Sequence, residues 1–161
     1  MKKNLFFICP DGHLEHFIKE KYGDNVFFAT ALGAVFNFND VNYSKSLTDF
    51  MISECITDIF IVNDTSCRFI NNTLENEKSF ETFSEDILSK LLIRNHSIVT
   101  NNKSVINKRI TFAELNVKRQ IAEIVNDKLL LQQILRAKIV IKGIVSTKAE
   151  KKWIELNFSS Q

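Results

Sequence analysis

Residues 5–13 read LFFICPDGH, and this stretch decides the fold. Four apolar residues follow one another without alternation, as in a strand covered on both faces of a parallel sheet. Cys9 ends the run, and Pro10-Asp11-Gly12 breaks it at once. Open α/β sheets place their chemistry at the carboxyl ends of parallel strands. A first strand here delivers a thiol and a carboxylate to that edge. Residues 58–62, DIFIV, repeat the pattern and run into Asn63-Asp64-Thr65-Ser66-Cys67. Two strand ends, each carrying Cys and Asp, are the main functional signal.

Working outward, Leu14, Phe17 and Ile18 recur at helical spacing, with Asp11 placed to cap the helix start. Residues 25–30 form a second β-rich run, and 31–39 are irregular around Gly33. A helix follows through Leu47, Phe50, Met51 and Ile52, with Ser46 or Thr48 as its cap. Strand, helix, strand, loop, helix, strand in that order favours right-handed crossovers and a parallel sheet. Residues 67–74 read as a short helix, and 71–78 are polar without a clear period. Residues 83–93 form a helix opened by Ser84, while 96–109 read as a loop. From Ile110 onward, Leu115, Val117, Ile121, Ile124 and Val125 trace an amphipathic helix, followed by another over 129–136. The β-rich runs 138–145 and 151–157 are joined by 146–150 as a hairpin. The expected fold is therefore α/β: a mostly parallel central sheet flanked by helices, with a C-terminal β-hairpin adding an antiparallel edge strand. One domain spans residues 1–161.

The chain of 161 residues is 45% hydrophobic and 25% charged, enough for one real core. A net charge of +2 gives no electrostatic reason to expect nucleic acid or an anionic membrane as partner. Lys2-Lys3 precede an apolar run too short for a signal peptide, and no stretch approaches a membrane span. The expected compartment is the cytoplasm, where Cys9, Cys55 and Cys67 stay reduced. Their odd number also argues against a disulfide framework. Fourteen phenylalanines imply a bulky interior, part of it buried between subunits.

The succession of residues resembles the β-class carbonic anhydrases. That family's first strand ends in C-x-D-x-R, which stands here as Cys9-Pro10-Asp11-Gly12-His13. Its third strand ends in H-x-x-C, which stands here as Asp64-Thr65-Ser66-Cys67. Tyr22-Gly23-Asp24, Ser46-Leu47, the late-helix segment Asn116-Val117-Lys118-Arg119-Gln120-Ile121 and the closing hairpin with Gly143 agree in order. Only 71–109 diverges. The resemblance implies zinc held by Cys9, Asp64 and Cys67, with Asp11 and His13 in catalytic positions. It also implies carbon dioxide or bicarbonate as substrate, and a homodimer or higher homo-oligomer.

Three departures weaken that chemistry. Asp64 replaces the metal-binding histidine, and His13 replaces the arginine that pairs with the aspartate. The R-N-A-G loop reads Thr30-Ala31-Leu32-Gly33. Two thiolates and a carboxylate take a divalent ion to roughly −1, whereas two thiolates and an imidazole leave it near zero. The more electron-rich zinc acidifies its water less. Without its arginine, Asp11 is free to close on the metal as a fourth ligand, and His13 replaces that partner only when protonated. The resemblance thus implies hydration that is weakened or lost. The alternative is a non-catalytic binding or scaffold protein without metal.

The residues leave plainer readings open. Cys9 and Cys67 also suit ordinary buried thiols. Asp64 suits a helix cap as well as a ligand, and Asp11 suits a cap of its own helix. His13 and His16 suit an exposed helix face, Cys55 the core, and Lys148, Lys151 and Lys152 a solvated hairpin tip.

Overall fold

Strand β1 (Asn4–Ile8) is buried at every position, because it has parallel neighbours on both sides and helices on both faces. Its neighbours are β2 (Val26–Thr30) and β3 (Asp58–Asp64). Next to β3 lies β4 (Val140–Thr147), again parallel, and β5 (Lys152–Glu155) closes the far edge antiparallel to β4. The computed structural model describes residues 1–77 and 81–157; position 78, the end of the polar stretch 71–78, lies outside them. Within the described residues the sheet has the order β2-β1-β3-β4-β5. This is the expected α/β architecture, with the hairpin strand at one edge.

Side chains alternate across a strand, and the two faces of this sheet carry separate cores. Leu5, Phe7, Ile59, Ile61 and Val145 belong to the larger one. That core is covered by α2 (Val41–Ser53), α6 (Val105–Asn126) and α7 (Lys128–Ala137), with α3 (Arg68–Leu74), α4 (Phe83–Arg94) and α5 (His96–Thr100) toward one end. Phe6, Ile8, Phe60, Val62 and Ile144 face the other way, against Leu14, Ile18 of α1 (Glu15–Tyr22) and Trp153. Phe6 and Phe60 stack there with centroids 4.5 Å apart.

Several local expectations are corrected. Helix α2 begins at Val41, not near Ser46, because Asp40 Oδ1 accepts from the amides of Asn42 and Tyr43. The hydroxyl of Thr48 turns back to the carbonyl of Ser44, a bond available inside a helix. Helix α4 is capped by Thr82 rather than Ser84, which is buried. Residues 96–109 are largely helical: α5 buries Val99, and Ser104 caps α6. One turn of helix is too short to display a period. Cys55, expected in the core, is exposed in a left-handed turn after α2.

Candidate functional site

The carboxyl ends of β1 and β3 bring the two sulfurs together. Cys9 follows Ile8 and belongs to the larger core, as does Cys67, which caps the start of α3. Their thiols lie within hydrogen-bond reach of one another. The Cys9 Sγ also accepts the amide of Gly33 at 3.2 Å. The S–H of Cys67 directed at Cys9, reinforced by the backbone amides of Asp11, Gly33 and Ala34, outweighs burial and brings the Cys9 thiol down to about 7. Cys67 moves the opposite way: it is the donor in that pair, and burial beside a thiolate keeps its proton on.

Gly33 is held for this contact from two sides. Its φ of +67° is a conformation that favours glycine. A β-carbon there would stand 3.1 Å from Leu88 Cδ1 and 3.2 Å from Phe69 Cβ. The amide of Asn116, fully buried on α6, donates to the Gly33 carbonyl at 3.1 Å and to Asn63 Oδ1 at 2.7 Å. Gln120, one turn along, accepts the amide of Phe36. The late-helix segment thus fixes the 32–36 loop, and through it the peptide that points at Cys9.

Asp64 is placed elsewhere. Phe60 and Val62 face the smaller core, so alternation turns Asp64 to that side of the sheet, away from the larger core that holds both sulfurs. Asn63 is the β3-end residue on the side of α6. The Asp64 carboxylate has four donors: Ser66 through its amide (2.8 Å) and its hydroxyl, the Ser146 hydroxyl (2.7 Å) and the Lys148 amide (3.0 Å). It closes an Asx-type turn and ties the end of β3 to the end of β4.

Asp11 has an arginine after all, from another element. Its Oδ2 accepts the Arg68 amide at 3.0 Å, and its Oδ1 pairs with the Arg68 guanidinium at 3.1 Å. Asp11 therefore satisfies the first turn of α3, not of α1, whose cap position is Leu14. No sequence spacing pointed to this, since the partners lie 57 positions apart. His13 is exposed in a left-handed conformation, its carbonyl accepting Lys148 Nζ at 2.9 Å. His16 pairs with Glu20 on the surface of α1. Among the described residues, no three His, Cys, Asp or Glu side chains stand together as a metal-holding group. A cavity of ≈ 450 Å³ lies away from the thiols, among Met51, Cys55, Gln133 and Arg136.

No family model matches the sequence, and comparison with curated proteins finds no relative. Solved structures do match. A tetrameric β-carbonic anhydrase from Sordaria macrospora superposes with a TM-score of 0.80 at 15% identity, over 98% of this chain and 81% of its own. The β-carbonic anhydrase CafD of Aspergillus fumigatus gives 0.81 at 19% identity, over 98% and 90%. The Coccomyxa β-carbonic anhydrase solved with acetazolamide gives 0.72 at 17% identity, over 96% and 72%. No helix among the described residues is long and apolar enough to cross a membrane. With its strand order, its paired strand-end cysteines and these superpositions, the chain has the β-carbonic anhydrase fold.

Proposed function

We propose that this chain is a carbonic-anhydrase-fold protein that has given up the zinc–hydroxide centre, and with it the hydration of carbon dioxide, and works as a non-catalytic binding or scaffold module. One observation carries the reading: the Asp64 carboxylate, at the position of the family's metal-binding imidazole, is turned from both sulfurs and saturated by Ser66, Ser146 and Lys148. A catalytic zinc site takes three protein ligands and a water. Cys9 and Cys67 supply two, and Asp11 is engaged with Arg68. The donor set does not fit zinc.

The module is proposed to work as a homo-oligomer. β2 is an edge strand of sequence VFFAT, without charge or proline, and such edges are pairing surfaces. Three free thiols suit a reducing compartment such as the cytoplasm.

The test is zinc content after expression in zinc-supplemented medium, with stopped-flow hydration at neutral and alkaline pH. The expected result is well under half a zinc per chain and no hydration above the buffer rate. A full equivalent of zinc with rapid hydration at pH 7 overturns the proposal.

A further inference from the structure

We propose that Cys9 and Cys67 are a modification site: a buried dithiol that peroxide oxidises to an intramolecular disulfide. The inference rests on the metal-free reading, since a bound ion would occupy both sulfurs. Its geometric basis is independent of it. The two cysteines come from different elements, the end of β1 and the start of α3, yet their sulfurs are hydrogen-bond neighbours inside one core. Cys55 does not compete for either. It precedes β3 while Cys67 follows it, and the seven residues of that strand separate them by about 20 Å.

The oxidant must be small, because Cys9 is 4% exposed and Cys67 fully buried. Hydrogen peroxide, little larger than water, meets Cys9 first. The Cys9 sulfur attacks one peroxide oxygen, the O–O bond breaks, and Cys9 becomes a sulfenic acid with release of water. The Cys67 sulfur then attacks the Cys9 sulfur. The S–O bond breaks, the S–S bond forms, and the hydroxyl leaves as a second water with the Cys67 proton. Two thiols and one peroxide thus give one disulfide and two waters. The bond ties the end of β1 to the first turn of α3, beside the existing Asp11–Arg68 link.

The experiment treats the full chain carrying Cys55→Ser with hydrogen peroxide, followed by intact mass and non-reducing peptide mapping. The expected result is a loss of two hydrogens per chain and a peptide pair joined through Cys9 and Cys67. The link should disappear with reductant, and should not form in Cys9→Ser or Cys67→Ser. Sulfinic acid on Cys9, or chains joined to one another, in a sample that elemental analysis shows to be metal-free, overturns the inference. If the sample holds zinc, the oxidation is repeated after chelation. A Cys9–Cys67 link formed only then supports the dithiol and overturns the metal-free reading alone; absence of the link after chelation overturns the dithiol.

Discussion

Asp64 and Ser146 face each other across the β3–β4 ladder, and the serine hydroxyl donates to the buried carboxylate at 2.7 Å. The Lys148 amide, two residues further on, completes the bridge. A position that the motif alone marks as a ligand is therefore a joint between two strand ends.

Replacing Asp64 by Ala should cost about 3 kcal/mol, because Ser146 and the amides of Ser66 and Lys148 lose a charged acceptor inside the protein. Urea unfolding measures this. The pair Asp64→His with His13→Arg should lower the midpoint as well and leave zinc content unchanged. An imidazole at position 64 inherits the same side of the strand. A gain of zinc in that double variant would place position 64 on the thiol side.

The thiol pair makes stability depend on pH in a definite direction. Cys9 is lowered from the usual value of 9.0 to about 7. Its contribution is therefore fully present above about 9 and lost as pH falls through 7. Cys67 is raised, so its contribution is present below 9 and declines as pH rises beyond it. The net contribution should rise from pH 7 to about 9 and fall above. Comparing urea midpoints across that range in the parent and Cys9→Ser proteins isolates the effect. Ultraviolet thiolate absorbance in Cys55→Ser should show one buried thiol ionising near 7.

Asn116→Ala should destabilise by about 2 kcal/mol, since it strips a fully buried amide from the Gly33 carbonyl and from Asn63. It should also raise the Cys9 titration, because the Gly33 peptide that donates to the sulfur is no longer held. Cys9 alkylation rates against pH distinguish this from a purely structural loss, which would leave the midpoint unmoved.

Arg68→Ala should cost under about 1 kcal/mol. The guanidinium is 58% exposed, and a screened ion pair contributes little. Asp11→Ala should cost more, about 1 kcal/mol, because it also removes the acceptor for the α3 amide. A double-mutant cycle in urea should give a coupling below about 1 kcal/mol, and smaller at high salt.

The sheet was legible in the residues because burial on two faces leaves a mark no local effect imitates. LFFI and DIFIV are unbroken apolar runs, and the closing runs around Gly143 frame a hairpin. The two strand-end cysteines were legible for the same reason, since each ends such a run. Helix starts were less so. Asp40 and Thr82 were passed over for hydroxyls nearby, because Ser44 and Thr48 satisfy themselves on carbonyls inside or just before the helix.

By itself, the sequence determined that two thiols arrive at one edge of a parallel sheet, because hydrophobic runs set where strands end. Only the tertiary structure decided what stands beside them. Which side Asp64 takes depends on strand alternation and on Ser146, 82 positions away. Arg68 finds Asp11 only after β1 and β3 have paired. Polar partnerships of that range leave no period in the chain. They are set by which backbone ends the packed sheet brings together.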